Sequence, residues 1–346
     1  MARPHGTPRK FPRNVERSEM AFVFDPDNPP TPACHAATIV ALADRLVVAW
    51  FGGTQEKNPD VGIWVAASRG LDPGGGDWEA PRQVADGDGQ ACWNPVLADT
   101  ADGLLLFYKV GKSPGTWHGE MMRSCDGGVR WEAGPALPTG LLGPIKNKPL
   151  MLANGDLLCP SSLEVGGWTC HFEILPLAWL AGKGDPKPTR HDVPDPEGFS
   201  AIQPTVLRVD GGFEALVRTK AGVIARTQSA DGRSWSPLEA TPLLNPNSGI
   251  DAASLPDGRT VLAHNPVPTP TGRWGGARTP LALAVREADG QWRQAHVLED
   301  TEGEFSYPAI ICNEDQVHVA YTWQRRSIRH VAFDWRRYWS VAPATP

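Results

Sequence analysis

Polar side chains of different chemical types recur along the chain, each just before a proline or alanine and a short apolar run. The interval is roughly 55 residues, within the range of a repeat architecture. The six positions are His35, Asn94, Lys148, Gln203, Asp251 and Tyr307. Together, an imidazole, two amides, an ammonium, a carboxylate and a phenol could bind a polar ligand and perform acid–base or nucleophilic chemistry on it.

A second set of polar residues follows the next apolar run of each repeat and therefore belongs on the same face. Its members are Glu56, Asp60, Lys109, His118, Glu164, Arg218, His264, Asn265, Arg278, Arg325 and Arg326. Long loops on this face contain Trp117 and Trp274, and exposed indoles suit stacking against sugar rings. These features favour a polar pocket with an aromatic rim.

The elements that position these residues are predicted to be short antiparallel strands. Asp102-Gly103, Asn154-Gly155 and Asp257-Gly258 each lie between two apolar runs, which is a strong hairpin signal. A third run follows, as in GVIARTQS and PLALAVR. Three strands plus a fourth, repeated six times, predict an all-β fold, a six-bladed β-propeller.

A turn motif of the form S-x-D-x-G-x-x-W supports the repeat. It is complete at Ser124, Asp126, Gly128 and Trp131, and partial copies lie near other tryptophans. Its Asp can accept hydrogen bonds from backbone N–H groups while the Trp packs on its own blade. We expect residues 21–24 to supply the outer strand of the last blade and close the ring, because an open propeller would expose strand edges. Residues 1–18 are predicted to be an N-terminal extension and residues 19–346 a single propeller domain.

Composition excludes several classes of function. Among 346 residues the net charge is −6 and no basic stripe occurs, which argues against a nucleic-acid partner. No apolar stretch reaches the length of a membrane span, and the Arg- and Pro-rich N-terminus lacks an apolar signal segment, so we expect a cytoplasmic protein. His35, His118, His264 and Asp251 could converge, but no metal-binding spacing supports a metal site, and no cofactor is expected.

Several sequence phrases resemble the sialidase superfamily, particularly bacterial predicted neuraminidases with sialidase-like repeats. The resemblance covers about residues 20–335 and is most specific at CHAATIV, AWFGG, CWNPVL, GPIKNKPL, NPNSGIDA and EFSYPAI. It implies a six-bladed propeller in which three arginines hold a carboxylate. It also implies an Asp acid on a first-blade loop and a Tyr nucleophile assisted by a Glu.

Four positions of this sequence match that pattern. Asp60 lies on the first-blade loop of the acid, and Tyr307 corresponds to the nucleophile. Arg218 and Arg278 correspond to the second and third arginines. Two arginines suffice to bind a carboxylate, because each can form a bidentate pair.

Two positions depart from the pattern. His35 stands where the first arginine is expected, and Gln203 stands where the Glu that assists the tyrosine is expected. A tyrosine without a carboxylate partner is a poor nucleophile near neutral pH, because its ordinary pKa is about 10.

Three functions remain open from the sequence. The leading hypothesis is a hydrolase that cleaves a terminal sialic- or uronic-acid-type glycoside, with Asp60 as acid and Asp251, Tyr307 or an activated water opposing it. The substrate-binding residues would then be Arg218, Arg278, Asn94, Lys148, Gln203, His118, His264 and Trp117. The alternative is a lyase acting on uronate-linked glycans, in which His35, His118 or His264 abstracts a proton and Tyr307 acts as the acid. A non-catalytic carbohydrate-binding propeller is the third.

Overall fold

The computed structural model describes residues 20–71 and 77–339, so the predicted extension at residues 1–18 lies outside the described residues. The described strands form antiparallel sheets of four strands each, arranged as six blades. The first strands of most neighbouring blades contact one another, which places them nearest the axis. The predicted six-bladed β-propeller is confirmed.

A short strand, β1 (Met20–Phe22), precedes the first blade. Blade 1 consists of β2 (Ala33–Ala41), β3 (Leu46–Gly53), β4 (Gly62–Ala67) and β5 (Arg82–Ala85). Blade 2 consists of β6 (Cys92–Thr100), β7 (Gly103–Val110), β8 (His118–Ser124) and β9 (Glu132–Ala133). Blade 3 consists of β10 (Leu150–Met151), β11 (Leu157–Leu163), β12 (Thr169–Leu175) and β13 (Thr189–Asp192).

The remaining blades follow the same order from the axis outwards. Blade 4 consists of β14 (Ala201–Val209), β15 (Gly212–Thr219), β16 (Val223–Ser229) and β17 (Glu239–Leu244). Blade 5 consists of β18 (Asp251–Ser254), β19 (Thr260–His264), β20 (Leu281–Arg286) and β21 (Trp292–Glu299). Blade 6 consists of β22 (Phe305–Asn313), β23 (Gln316–Trp323) and β24 (Ser327–Asp334), completed by β1.

The N-terminal strand closes the ring as predicted. β1 pairs antiparallel with β24, and Met20 lies opposite Val331. The Ser327 hydroxyl donates to the carbonyl of Phe24 at 2.7 Å, which extends the contact beyond the strand. Apolar side chains fill the space between blades; between blades 1 and 2, for example, Phe51 packs with Leu97.

The innermost strands of four blades contain a bulge that aims side chains at the axis. Ala36, Asn94, Gln203 and Tyr307 have positive φ angles of 57°, 35°, 56° and 52°. The strand register shifts at each of them, as expected when one extra residue enters a strand. The sequence pattern equated His35 with Asn94, but the left-handed residue of blade 1 is Ala36. The predicted alignment is therefore wrong by one residue in that blade.

The turn motif of blade 2 is built from side-chain hydrogen bonds. Asp126 Oδ1 accepts from the backbone N–H groups of Val129 and Arg130 at 3.1 and 2.8 Å. The Trp131 indole donates to the carbonyl of Gly128 at 3.1 Å.

The described helices are α1 (Leu177–Leu180), in blade 3, and α2 (Trp335–Trp339), which follows β24. Neither described helix is long and apolar enough to cross a bilayer.

Candidate active site

A concave cavity of about 290 Å³ lies at the mouth of the propeller axis. Nine residues singled out in the sequence line it: His35, Glu56, Asn94, Trp117, Glu164, Gln203, Arg218, Trp274 and Tyr307. The bulged inner strands supply Asn94, Gln203 and Tyr307, so the left-handed conformation of these residues directs their side chains into the site.

Tyr307 is held by an arginine rather than by a carboxylate. Arg218 Nη1 donates to Tyr307 Oη at 2.9 Å and to Gln203 Oε1 at 3.0 Å. The Gln203 amide nitrogen lies 3.5 Å from the same phenolic oxygen. An amide is not a base at neutral pH, so Gln203 can orient Tyr307 but cannot take its proton.

Arg218 is a buried cation with neutral hydrogen-bond partners. Its side chain comes from β15 of blade 4 and is only 2% exposed. Besides Tyr307 and Gln203, it donates to Asn247 Oδ1 at 2.8 Å. Within residues 20–71 and 77–339 no carboxylate lies within ion-pair distance of its guanidinium. A buried charge without a counter-charge is costly, so this geometry favours an anionic ligand.

Two further arginines surround the same region. Arg278, half-buried, donates to Ser248 Oγ at 2.7 Å and is close enough to Arg218 and Tyr307 to interact electrostatically. Arg325 follows β23 of blade 6 and is paired with the carboxylates of Glu56 and Glu304. The charge of Arg325 is thus neutralised within the protein. Arg218 lines the cavity, whereas Arg278 lies near Arg218 and Tyr307 but is not one of the residues that line it.

His35 lies between these cations and the tyrosine. Its ring centroid is 4.2 Å from that of Tyr307, and its Nε2 lies 3.4 Å from Arg325 Nη2. Burial lowers the pKa of His35 well below its ordinary value, and Arg325, Arg278, Arg218 and Lys146 lower it further. His35 is therefore a neutral ring near pH 7.

Two carboxyl groups line the cavity in different electrostatic environments. Glu56 forms an ion pair with Arg325. Glu164 follows β11, and burial raises its pKa above the ordinary value, although Arg218, Lys220 and a hydrogen bond from Trp168 act in the opposite direction. A carboxyl group with a raised pKa is suited to act as an acid, and a second carboxyl group in a different environment is suited to act as its partner.

Four tryptophans form the rim of the cavity. Trp93 and Trp117 meet edge to face with ring centroids 5.8 Å apart, and Trp168 and Trp274 do so at 6.1 Å. Trp274 is 64% exposed, which leaves its face open to a ligand. Trp117 and Trp274 were predicted from their loops. Trp168 was not predicted, because it directly precedes a strand and not a long loop.

Asp60 does not join the residues that line the cavity. Its carboxylate accepts from the backbone N–H of Thr54 at 2.7 Å and from the Thr54 hydroxyl. These hydrogen bonds lower the pKa of Asp60, which is exposed. A carboxyl group with a lowered pKa is a poor proton donor near neutral pH, so the acid role predicted for Asp60 does not fit this geometry.

Asp251 and Lys148 pair with each other on the axis instead of lining the cavity. Lys148 Nζ lies 3.0 and 2.9 Å from the two carboxylate oxygens of Asp251. Asp251 also accepts from the Thr205 hydroxyl at 2.7 Å and the Ile310 backbone N–H at 2.9 Å. Since its oxygens are occupied and it is 1% exposed, Asp251 joins blades rather than opposing an acid as predicted.

Two predicted histidines also lie elsewhere. His118 begins β8, is exposed and contacts Glu120 at 3.0 Å. His264 ends β19, where its Nδ1 lies 3.2 Å from the carbonyl of Leu244 and burial lowers its pKa to about 4. Neither lines the cavity, because His118 points towards a neighbouring groove and His264 is buried beside Leu244.

Lys146 is a site residue that sequence reasoning missed. Its ammonium lies 5.9 Å from the Tyr307 ring centroid and donates to Asn147 Oδ1 at 2.8 Å, the Ile250 carbonyl at 2.9 Å and the Pro308 carbonyl. Burial lowers the pKa of Lys146 to about 7. The signal available in the sequence was a second lysine two residues before Lys148. In the described part of the chain, no group of three His, Cys, Asp or Glu side chains could hold a metal ion.

Solved structures share this architecture at low sequence identity. Trypanosoma rangeli sialidase superposes with a TM-score of 0.65 at 14% identity, over 87% of this chain and 55% of that one. Leech intramolecular trans-sialidase superposes with a TM-score of 0.65 at 11% identity, over 97% of this chain and 71% of that one. T. rangeli sialidase in complex with sialic acid superposes with a TM-score of 0.61 at 14% identity, over 93% of this chain and 57% of that one. The chain thus spans little more than half of the T. rangeli protein, and likeness at this identity shows the fold.

Sequence comparison adds the family. No curated protein matches the chain. Residues 44–319 match the family described as the BNR repeat-like domain, which is most of the chain and covers all six blades at least in part. The chain therefore belongs to the BNR repeat-like domain family, and it shares the propeller fold of the sialidase structures named above.

Proposed function

We propose that this chain is a glycoside hydrolase that removes a terminal acidic sugar of the sialic or uronic acid type. The observation that carries the proposal is Arg218, a buried guanidinium whose protein partners are all neutral. A sugar carboxylate would supply the missing counter-charge through charge-assisted hydrogen bonds, and Arg278 is placed to share it. The T. rangeli structure that contains sialic acid supports this choice of ligand by analogy of fold.

The two cavity carboxyl groups provide the acid and the base. In this proposal Glu164 gives its proton to the glycosidic oxygen as the bond from that oxygen to the anomeric carbon breaks. Glu56 takes a proton from a water molecule whose oxygen attacks the same carbon. Burial, which raises the pKa of Glu164, and the ion pair between Glu56 and Arg325 support this assignment.

Tyr307 contributes electrostatically. Its phenolic oxygen accepts from Arg218 and belongs to the cavity wall, where it can stabilise positive charge that develops at the anomeric carbon. Because Gln203 cannot act as a base, the proposal assigns the attack to water rather than to Tyr307.

The lyase alternative has weaker support. Such an enzyme needs a base with a pKa near 7 beside the uronate. The pKa of His35 is lowered by burial and by four cations, and His118 and His264 do not line the cavity.

The test is product analysis after incubation with sialyl and glucuronyl oligosaccharides. Mass spectrometry should show a free acidic sugar that has gained water, and Glu164→Gln should abolish its release while Asp60→Asn retains it. An unsaturated product without added water would establish the lyase instead. Binding measured by calorimetry without turnover would leave a carbohydrate-binding propeller.

A further inference from the structure

A second, largely apolar groove of about 410 Å³ lies beside the candidate active site. Its wall includes Leu137, Leu141, Leu142, Leu163 and Val165. The side chain of Val165 is notable because the residue is 61% exposed, which leaves apolar surface in water in the free protein.

The groove and the cavity share one wall. Pro114 and Trp117 line both of them, so the two spaces adjoin at these residues. Successive residues at the end of β11 line different spaces. Leu163 and Val165 line the groove, whereas Glu164 between them lines the cavity. The carboxyl group that we assign as proton donor therefore stands at the boundary between the two spaces.

The far wall of the groove is fixed by a buried polar network. The backbone N–H groups of Leu142 and Gly143 donate to the two carboxylate oxygens of Glu173 at 2.9 and 2.7 Å. His171 contacts the same carboxylate at 2.9 Å, and both side chains are fully buried. A backbone segment held in this way forms a preformed surface, which lowers the entropic cost of binding a ligand.

We propose that this groove binds an apolar aglycone, an alkyl or aryl group joined to the acidic sugar that occupies the cavity. The inference rests on the proposed function and deepens it, since it names the class of the leaving group. A bond between the two spaces would lie beside Glu164, where its oxygen can be protonated. The polar cavity selects the sugar, and the apolar groove selects what the sugar is attached to.

The test compares methyl and octyl glycosides of N-acetylneuraminic acid and of glucuronic acid below their micelle concentrations. Since each methylene removed from water is worth a factor of about three to four, we expect kcat/KM of the octyl glycoside to exceed that of the methyl glycoside at least about tenfold. Val165→Ser should reduce this ratio about threefold or more. Val129→Ser is the matched control, because Val129 is 48% exposed and lies outside the groove.

Each outcome decides between the two proposals. Equal kcat/KM for methyl and octyl glycosides would refute the groove while leaving the hydrolase intact. If nothing is hydrolysed, the hydrolase fails, and the same glycosides are compared by calorimetry: tighter binding of the octyl compound supports the groove, and equal binding refutes it. A change in sedimentation of the Val165→Ser chain with an unchanged octyl-to-methyl ratio would assign the groove to protein contact and overturn the inference.

Discussion

Replacing Arg218 by methionine tests the central electrostatic argument. The exchange keeps an unbranched side chain in β15 but removes the cation that touches Tyr307, Gln203 and Asn247. Truncating one partner of a buried charge pair costs about 2–5 kcal/mol. That cost corresponds to a loss of roughly 30-fold to several-thousand-fold in kcat/KM for an acidic substrate.

The assay is a double-mutant cycle between protein and substrate. Wild type and Arg218→Met are each measured with an aryl glycoside of the acidic sugar and with the same glycoside reduced to an alcohol at the carboxylate carbon. Wild type should have a much higher kcat/KM for the acid than for the alcohol, whereas the variant should have similar values for both. The difference between the two ratios is the coupling energy between Arg218 and the substrate carboxylate. Arg218→Lys should give an intermediate preference for the acid over the alcohol, since a single ammonium group replaces the planar, bidentate guanidinium.

Stability distinguishes a lost contact from a damaged fold. Loss of three hydrogen bonds costs about 1 kcal/mol each, but removal of an unpaired buried charge offsets a penalty of several kcal/mol. The substrate-free variant should therefore unfold at a temperature no lower than wild type. If Arg218→Met lowers kcat/KM equally for the acid and the alcohol, or unfolds well below wild type, the role assigned to Arg218 is wrong.

Three further results are expected. Glu164→Gln should remove the alkaline limb of the pH profile of kcat/KM and lower the rate about 10²–10⁴-fold for poor leaving groups, with little effect on aryl glycosides; an unchanged limb would exclude Glu164 as the acid. Gly249→Ala would place a β-carbon 3.2 Å from the Tyr307 ring, so kcat should fall roughly tenfold with little change in Tm, and unaltered kcat would show that the position of Tyr307 does not matter. Burial lowers the pKa of Lys146 to about 7, so the unfolded chain holds more protons just above that pH. The urea midpoint should accordingly rise between pH 7 and 8, by at most about 1.4 kcal/mol in unfolding free energy for this lysine, and Lys146→Met should flatten that rise.

The repeat made much of this architecture predictable. Regular spacing and hairpin signals predicted the blades, because these depend on local chain geometry. The closing strand, which pairs the two ends of the chain, was predictable because an open propeller would expose strand edges. The same spacing predicted that Asn94, Gln203 and Tyr307 face one cavity. The bulge at Ala36 escaped prediction, since one extra residue in a strand leaves no mark when no proline follows it.

Long-range partners explain the remaining differences. Nothing near Asp251 in the sequence indicates that Lys148 would occupy its carboxylate. Asp60 and Glu164 both follow second strands and look equivalent, yet one carboxylate turns to Thr54 and the other into the cavity. The orientation of these carboxyl groups depends on contacts between side chains that a repeat pattern does not specify.

The pairing of Lys148 with Asp251 also bears on how a ligand would enter and leave the cavity. Together with the buried Lys146 and Asn147, these two side chains form hydrogen bonds between blades 3, 4, 5 and 6 near Tyr307. Under the proposed function, these hydrogen bonds across the axis favour entry of the end of a glycan over threading of a chain. The freed acid would then leave through the mouth by which it arrived and compete with the next substrate for Arg218.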